Sequence, residues 1–390
     1  MNSGMQGVVL PGQVIIVVQQ ESLRERPRIH KLGQILGEMG VDFEIWKFGP
    51  PEEKRAEGMS VRNVMHSGWR SRSAALRYVA WMWTVFKCAR RQPRGAHFFA
   101  VGFDSGLPIA LLGSRSRSFA FDNIDNVSMS YRWPWGVKHV FRFLEGWVAR
   151  RATVHVIPSA KRWVGADANM EVVTNTPSLA ATKEARSLAE ARGYVRDREF
   201  TIYLNGWLSA TRGIVTLIGA LKLLKERQLP VKVLVAGRPA SADAEELLAL
   251  ANVEHLGMLS NVEALAMYFR TTVAFIYYDP ALEINRLAES QKWTDCWATG
   301  TAFVSNTEVE TLRKFKEADA CFALSYHDQE GLANLIGELI ADSGRICASR
   351  ENLSRMSFRY WDEHMRLVLT RWFAHGSASP GSRFLPWPSK

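Results

Sequence analysis

Cysteine is scarce in this chain of 390 residues, and no long hydrophobic run is present. The four cysteines form no Cys-x-x-Cys pair, which argues against a disulfide framework and a cysteine-rich zinc site and favours a reducing cytoplasm. No apolar stretch reaches the roughly 18 residues that a membrane-spanning helix needs. No positive charge precedes the short apolar run at 14–18, so we expect no secretory signal. The sequence therefore predicts a protein that is soluble or attached to a surface.

Acidic residues are scarce in the first half of the chain. Residues 1–200 carry 29 Lys and Arg against 18 Asp and Glu, whereas residues 201–390 carry 20 against 21. The excess is greatest in residues 51–150, with 16 basic and 7 acidic side chains. A positive field on one side favours an anionic partner such as lipid headgroups, nucleic acid or a phosphorylated substrate.

Short runs of β-branched and aromatic residues alternate with helical spacing in both halves. This rhythm predicts an α/β fold with two Rossmann-like doubly wound domains and a cleft between them. We expect an N-terminal domain over residues 1–178, a linker over 179–199 and a C-terminal domain over 200–345. A helical segment over 346–376 and a disordered tail over 377–390 are expected to follow.

The segment from Ser290 to Thr301 carries charged side chains at the start of a predicted helix. Lys292 and Asp295 are three residues apart and so share a face of that helix. A helix N-terminus favours anions, and a lysine there adds a point charge suited to phosphate. The Asp295 carboxylate accepts hydrogen bonds only, which suits a ribose diol. The alternative interpretation is a surface salt bridge between the two.

This segment resembles the donor-site signature of GT-B glycosyltransferases, above all glycosyltransferase family 4, with the form S-x-x-K-L-x-E-Y-x-A-x-G-x-P-V. Asp295 stands at the ribose-binding Glu of that signature, Lys292 at its Lys, and Ser290 two residues earlier. A second stretch, from Tyr203 to Gly213, is similar to the family's Y-x-G-R-L-x-x-x-K-G. There Gly206 would let the loop approach a phosphate, and Arg212 stands where the family has a Lys for the donor pyrophosphate.

Two looser matches lie at residues 255–268 and near residue 27, in the family's order. The resemblance implies that residues 200–345 bind a nucleotide sugar and that residues 1–178 bind the acceptor. The sequence also departs from the family's pattern at two positions. The family's first Glu, eight residues before Asp295, is Leu287, for which nearby Glu289 or Glu283 could substitute. The family's Arg after Gly206 is Trp207.

A catalytic base is expected after the predicted strand at 118–122, because the carboxyl ends of parallel strands face the ligand. Asp125 matches the Asp of a Y-x-x-x-D-x-x-S stretch that resembles bacterial GT-B glucuronosyltransferases. The alternative is that Asp122 or Asp125 caps the following helix or an Asx-turn. His30 is a second candidate base, although a lone histidine is more often structural.

The predicted helix at 72–91 is basic and aromatic, as in helices that lie in a membrane interface. Its basic residues Arg77, Lys87, Arg90 and Arg91, with Trp81 and Trp83, are predicted to contact an anionic membrane or the acceptor. The alternative is a helix packed on the sheet with a solvated basic face.

No group of residues has metal-ligand spacing, so we expect no metal or other cofactor, with cations balancing the leaving diphosphate. The sequence predicts a metal-independent hexosyltransferase that moves a sugar from a nucleotide sugar to a lipid-linked or polysaccharide acceptor. It would sit on the cytoplasmic face of the cell membrane. A GT-B-shaped sugar-nucleotide epimerase and a basic nucleic-acid-binding protein are the alternatives. The latter lacks any helix-turn-helix, RNP or zinc-finger pattern.

Overall fold

A computed structural model of the chain describes residues 13–19, 27–49, 55–56, 59–66, 73–93, 95–113, 118–163, 167–196 and 199–376. The chain forms two compact units. The first comprises Met1–Thr174 and Asp362–Lys390, and the second comprises Asn175–Trp361. The predicted tail at 377–390 lies outside the described residues.

The first unit is built on a sheet whose strands are parallel apart from one short edge strand. The strands are β1 (Val14–Val18), β2 (Phe43–Gly49), β3 (Arg55–Ala56), β4 (Met59–His66), β5 (His97–Val101), β6 (Phe119–Asp122), β7 (Val154–Ile157) and β8 (Met170–Val172). Their order is β3-β4-β2-β1-β5-β6-β7-β8, with β3 antiparallel to β4. The order reverses between β1 and β5, and ligands of doubly wound sheets bind at the carboxyl ends of strands at such a reversal.

Helices connect these strands. They are α1 (Pro27–Glu38), α2 (Ala74–Arg90), α3 (Phe103–Leu111), α4 (Val127–Ser130) and α5 (Trp135–Arg151). All five residues of β1 are buried, as expected for a parallel strand that is covered on both faces. Helices α2, α3 and α5 pack on one side of the sheet and share a core with β5 and β6.

The second unit contains a sheet of six parallel strands. They are β9 (Thr201–Asn205), β10 (Lys232–Ala236), β11 (Val253–His255), β12 (Val273–Ile276), β13 (Ala302–Asn306) and β14 (Phe322–Leu324). Their order is β11-β10-β9-β12-β13-β14, so the reversal lies between β9 and β12. The residues that follow these two strands are therefore the expected place for a ligand.

Helices cover both faces of this second sheet, and a hydrophobic core lies on each side of it. They are α6 (Leu179–Ala191), α7 (Ile214–Glu226), α8 (Ala242–Leu248), α9 (Asn261–Met267), α10 (Glu283–Arg286), α11 (Gln291–Thr299), α12 (Arg313–Glu317), α13 (Gln329–Ala341) and α14 (Gly344–Arg355). The predicted alternation of strands and helices is confirmed in both units.

The expected linker at 179–199 begins instead with helix α6, which packs on α9. Ser178 caps it by accepting a hydrogen bond from the Ala181 N–H at 3.2 Å. Ala185 and Ala189 are buried in the second unit's core. The sequence pattern concealed this helix because its buried face is made of small residues, which leave no strong hydrophobic periodicity.

The segment expected at 346–376 divides between the two units. Helix α14 contributes Ile346 and Leu353 to the second unit's core. Helix α15 (Trp361–Gly376) returns to the first unit, where the Trp372 indole donates a hydrogen bond to Ser118 Oγ at 2.7 Å. Across the part of the chain described, none of the helices has the length and apolar character needed to span a membrane.

Candidate functional site

Two glycines meet at the carboxyl edge of the second unit's sheet. Gly206 directly follows β9, has a φ of +102°, and donates its N–H to the Ala236 carbonyl at 2.9 Å. Gly237 follows β10 with a φ of +136°, and a Cβ built on it would lie 2.0 Å from the Gly206 carbonyl oxygen. Only glycine tolerates such backbone angles and such close contact. The loop after β9 therefore presents backbone without a side chain at Gly206.

The Lys292 side chain lies against this bare backbone. A Cβ built on Gly206 would lie 3.4 Å from both Cε and Nζ of Lys292. Lys292 is in the first turn of α11, and its N–H donates to the Oγ of the N-cap residue Ser290 at 3.2 Å. Within the described ranges, the Lys292 ammonium has no ion-pair or hydrogen-bond partner. The fold thus directs a free cation at the reversal point of the sheet.

Arg212 reaches the same edge from the loop after β9. Its guanidinium carbon lies 4.6 Å from the centre of the Tyr278 ring, a cation–π contact. The Tyr278 hydroxyl donates to Ser290 Oγ at 2.6 Å, which links this pair to the start of α11. One guanidinium nitrogen, Nη1, is buried and has no hydrogen-bond partner in the part of the chain that the structure describes. A buried donor without a partner is costly, and an anionic ligand would satisfy it.

Asp295 is buried one turn after Lys292 on α11. The Gln291 amide donates to its Oδ1 at 3.4 Å. Burial raises the pKa of the Tyr268 hydroxyl, and the negative charge of nearby Asp295 raises it further. Tyr268 in turn donates to the Asn205 side chain, at the end of β9, at 3.3 Å. The fold therefore places Asp295 among groups that line the end of β9.

Glu289 has a partner within the second unit. Its buried carboxylate forms an ion pair with Lys314 of α12 at 2.5 Å. Its carbonyl oxygen accepts a hydrogen bond from the Asn175 amide at 3.2 Å. These contacts give Glu289 a structural function at the start of α11, and its predicted part in donor binding remains a prediction.

Sequence reasoning missed the residues that hold Tyr278 in place. Asn306, at the end of β13, accepts from the Tyr278 N–H at 2.8 Å and donates to the Tyr278 carbonyl at 3.0 Å. Its amide also donates to the Glu308 carboxylate at 2.9 Å. The only signal in the sequence is an asparagine that directly follows an apolar strand.

Trp207 extends from the Gly206 loop, and 61% of its surface is exposed. The next residue, Leu208, is buried and accepts the Ala240 N–H at 2.8 Å, so the loop is fixed on both sides of the indole. An exposed, anchored aromatic ring next to Gly206 in the chain offers a flat apolar contact to a ligand.

The first unit carries the two candidate bases. Asp122, at the end of β6, forms a buried bidentate ion pair with Arg28 of α1, at 2.7 and 2.9 Å. Asp125 lies beyond it, mostly exposed, with its Oδ1 3.8 Å from Arg162 Nη1. Neither aspartate caps α4, whose N-cap residue is Asn126. His30 lies on α1, two residues after Arg28, and is half-buried.

Helix α2 presents its three basic residues and Trp83 to solvent, and its basic C-cap residue Arg91 is exposed as well. Trp81 is different, because its side chain is fully buried in the core beneath α2. At about 100° per residue Trp81 falls on the same side as Val85 and Ala89, which are also buried. The prediction that Trp81 contacts a membrane is therefore wrong.

Comparison of the sequence with known protein families and with curated proteins finds no match. Solved structures do resemble this chain. A structure described as a putative UDP-N-acetylglucosamine 2-epimerase from Listeria monocytogenes gives a TM-score of 0.65 at 10% identity, covering 97% of this chain and 100% of its own.

Two further structures give similar TM-scores. HepE from Anabaena in complex with UDP-glucose gives a TM-score of 0.63 at 13% identity, covering 93% of this chain and 98% of its own. WaaG, a glycosyltransferase involved in lipopolysaccharide biosynthesis, gives a TM-score of 0.63 at 11% identity, covering 91% of this chain and 99% of its own. The predicted fold is confirmed: this chain has the GT-B architecture of two Rossmann-like units.

Proposed function

We propose that this protein is a glycosyltransferase that moves a sugar from a nucleotide-sugar donor to a lipid-linked or polysaccharide acceptor. The observation that carries the proposal is the convergence of Lys292 and Arg212 on the glycine loop after β9. Two cations beside glycine backbone, at the start of an α-helix, form a site for a diphosphate.

The donor would bind with its diphosphate between these cations and its ribose on Asp295. The carboxylate accepts hydrogen bonds from a diol, which is what a ribose offers. HepE, a structural neighbour, is described in complex with UDP-glucose, so a uridine nucleotide is the first donor to test. Trp207 would contact an uncharged, flat part of the ligand.

The transfer needs a bond broken at the diphosphate and a proton removed from the acceptor. The acceptor hydroxyl oxygen forms a bond to the anomeric carbon, the bond from that carbon to the β-phosphate oxygen breaks, and the diphosphate leaves with an added negative charge. Lys292 and Arg212 would stabilise that charge without a metal ion. We propose Asp125 as the base that takes the acceptor proton, with His30 as the second candidate.

We also propose that the protein associates peripherally with the cytoplasmic face of the cell membrane. Helix α2 and its C-cap expose Arg77, Lys87, Arg90 and Arg91 around Trp83, which suits a surface of anionic lipid. WaaG, which is described as involved in lipopolysaccharide biosynthesis, is a structural neighbour, and this supports an acceptor of the lipid-linked class.

The test is calorimetric titration of the protein with UDP and other nucleoside diphosphates, followed by a nucleotide-release assay across sugar nucleotides. We expect the wild type to bind one nucleoside diphosphate and Lys292→Ala to bind it at least tenfold more weakly. Lys222→Ala is the matched control, because Lys222 is an exposed lysine of the same unit paired only with Glu246. Equal binding by all three proteins would refute the donor site.

A sugar-nucleotide epimerase is the second candidate, favoured by the Listeria structure. An epimerase inverts one carbon of the sugar and passes no sugar to an acceptor. Incubation with UDP-N-acetylglucosamine and inspection of the sugar by NMR separates the two functions. We expect no change of configuration at C2, and appearance of the C2 epimer would favour the epimerase.

A further inference from the structure

Helices α2 and α5 of the first unit leave large apolar side chains exposed to solvent. Trp135 and Phe143 have 78% and 65% of their surface exposed. The apolar residues exposed on the two helices include Leu76, Val79, Trp83, Trp135, Val140 and Phe143. Single exposed apolar residues are ordinary, whereas a group of this size marks an interaction surface. We call it the aromatic face.

The two helices contribute to one continuous surface. Helix α3 lies between them and packs against both. Tyr78 of α2 lies near Tyr131, in the segment that leads into α5, and Tyr131 adds to the effect of burial in raising the pKa of the Tyr78 hydroxyl. Tyr131 packs on Trp133 at 5.3 Å between ring centres, and Trp133 packs on Phe141 of α5 at 4.9 Å. A chain of aromatic contacts therefore joins α2 to α5.

The exposed charges of α2 and of the segment through α5 have one sign, and Asp104 of α3 is an acid that lies near Tyr78 beside them. Residues 74–91 and 131–151 contain nine Lys and Arg and a single acid, Glu145. Glu145 is buried, where its carboxylate accepts hydrogen bonds from the Val127 N–H and the Ser128 hydroxyl. The exposed charge in these two segments is therefore entirely positive.

Both helices carry, toward their ends, a basic side chain that stacks on a tryptophan ring. Lys87 lies over the ring of Trp83 at 4.9 Å near the end of α2, and Arg151 lies over the ring of Trp147 at 4.1 Å at the end of α5. The beginnings of the helices carry the exposed apolar residues Leu76 and Trp135, with the basic residues Arg77 and Lys138 close to them. Each helix leads into a parallel strand, so its beginning lies at the carboxyl edge of the sheet. Asp125, after β6, lies at that same edge.

We propose that the aromatic face docks on an anionic lipid bilayer with the beginnings of α2 and α5 inserted, so that the carboxyl edge carrying Asp125 faces the membrane. This inference rests on the proposed function and sharpens it. In this arrangement the acceptor is a lipid whose sugar or headgroup reaches Asp125 from the bilayer. Tryptophan and phenylalanine enter the interfacial region, and the basic residues at the helix ends bind anionic headgroups.

A second copy of this chain fits the aromatic face less well. A two-fold dimer would place the same surface of both copies together, and with it two sets of like charges. An anionic membrane supplies the opposite charge together with an apolar interior. Binding should therefore fall as salt rises, because exposed charges are screened beyond roughly 8 Å at physiological ionic strength.

Vesicle sedimentation of the full-length protein tests the docking. The probe is vesicles of phosphatidylcholine with 30% phosphatidylglycerol, beside pure phosphatidylcholine vesicles. We expect the wild type to sediment with the anionic vesicles only, and Trp135→Ser/Phe143→Ser to lose at least tenfold in affinity. Val140→Asp should do the same, whereas Val215→Asp, on an exposed valine of α7 in the second unit, should not.

UDP titration without vesicles is run on every variant. Unchanged UDP binding shows that the second unit of a variant is folded. It also shows that the proposed donor site does not depend on the aromatic face. Wild type that never sediments with anionic vesicles, or Trp135→Ser/Phe143→Ser that sediments like wild type, overturns the docking. The docking is also overturned if sedimentation equilibrium shows a dimer that the same substitutions abolish. A second copy of the chain would then cover the aromatic face.

The orientation has its own test. A fluorophore is attached at Asp125→Cys or at Gly95→Cys, which precedes β5 at the opposite edge, in protein lacking Cys88 and Cys347. A Cβ built on Gly95 meets no atom within 4 Å, so a label fits there. Vesicles with brominated lipid should quench the label at 125 at least threefold more than the label at 95. Equal quenching, or stronger quenching at 95, would overturn the proposed orientation and with it the lipid acceptor.

Discussion

The Lys292 ammonium rests on the backbone of Gly206, with 3.4 Å between Nζ and the position that a Gly206 Cβ would take. This contact joins two segments that are 86 positions apart in the sequence. It fixes where the ammonium can point, since α11 begins at the N-cap Ser290 and cannot rotate without breaking the bond to Tyr278. The charge is positioned before any ligand arrives, which is what electrostatic stabilisation of a leaving group requires.

Removal of the Lys292 charge should slow the transfer far more than it weakens binding of the uncharged nucleoside. Loss of one positioned charge partner typically costs about 100- to 1,000-fold in turnover. Steady-state kinetics of Lys292→Ala, with Lys222→Ala as control, measures this. Full activity of Lys292→Ala would place the stabilising charge elsewhere.

Arg212→Ala should remove the second cation and weaken binding of the diphosphate. A charged hydrogen bond contributes about 1.5–3 kcal/mol, so affinity for UDP should fall roughly 10- to 150-fold, with uridine little affected. Arg212→Lys should recover part of the loss, because the charge returns without the planar stacking on Tyr278. Titration with UDP and with uridine separates the two effects. An equal loss for both ligands would contradict a diphosphate contact.

Asp295→Ala should weaken nucleotide binding by about 1–3 kcal/mol, the cost of a lost charged hydrogen bond. The same nucleotide lacking both ribose hydroxyls should bind the wild type and Asp295→Ala with similar affinity. Calorimetry with the two nucleotides forms a double-mutant cycle. If removal of the hydroxyls weakens Asp295→Ala as much as wild type, the carboxylate does not contact the ribose.

Excess EDTA should leave the transfer rate unchanged, because Lys292 and Arg212 supply the positive charge in the proposed mechanism. The assay compares dialysed protein with EDTA and with added Mg²⁺ or Mn²⁺. A rate that collapses with EDTA and returns with Mg²⁺ or Mn²⁺ would show that the diphosphate is neutralised by a divalent cation.

Acid should destabilise the first unit through His155. The imidazole is buried between Phe121 and Trp163, and burial lowers its pKa to about 3. The unfolded chain binds a proton below its ordinary value of about 6.5, while the folded chain does not, so stability falls as the pH drops from 6.5 toward 3. The slope contributed by one such group approaches 1.4 kcal/mol per pH unit.

His155→Phe should flatten this pH dependence between pH 6 and 4. Among the residues that the structure describes, neither ring nitrogen of His155 has a hydrogen-bond partner, so phenylalanine loses no hydrogen bond there. Urea denaturation at several pH values measures the free energy of unfolding of wild type and variant. Identical slopes would mean that His155 does not control the acid sensitivity.

Strands with continuous apolar runs were predictable from the sequence, and helices whose buried face is made of small residues were not. Strand β1 is five buried β-branched residues, a pattern with few alternatives. Strand β4 was missed, since it carries Arg62 and Asn63 beside its apolar residues and lies next to the sheet edge. Helix α6 was missed because Ala185 and Ala189 form its buried face, and such small side chains give only a weak hydrophobic periodicity.

The second unit's site was predictable where a motif fixed a residue type at a helix start or after a strand. The sequence singled out Lys292 and Gly206, and the fold brings them together. It could not reveal the arrangement of Asn306 around Tyr278, because that depends on the pairing of β12 with β13. Trp81 was misplaced because α2 is aromatic on several sides, so only packing decides which ring is buried.

Helix α15 has a consequence for how the chain acquires its fold during synthesis. Trp372 packs on the rings of His97 and Phe99, yet it leaves the ribosome almost two hundred residues after the last strand of the first unit. At about 5–20 residues per second, the nascent first unit waits on the order of 10–40 s for this helix, while the uninterrupted second unit is completed earlier. Until then the rings that Trp372 covers stay open to solvent or to a chaperone.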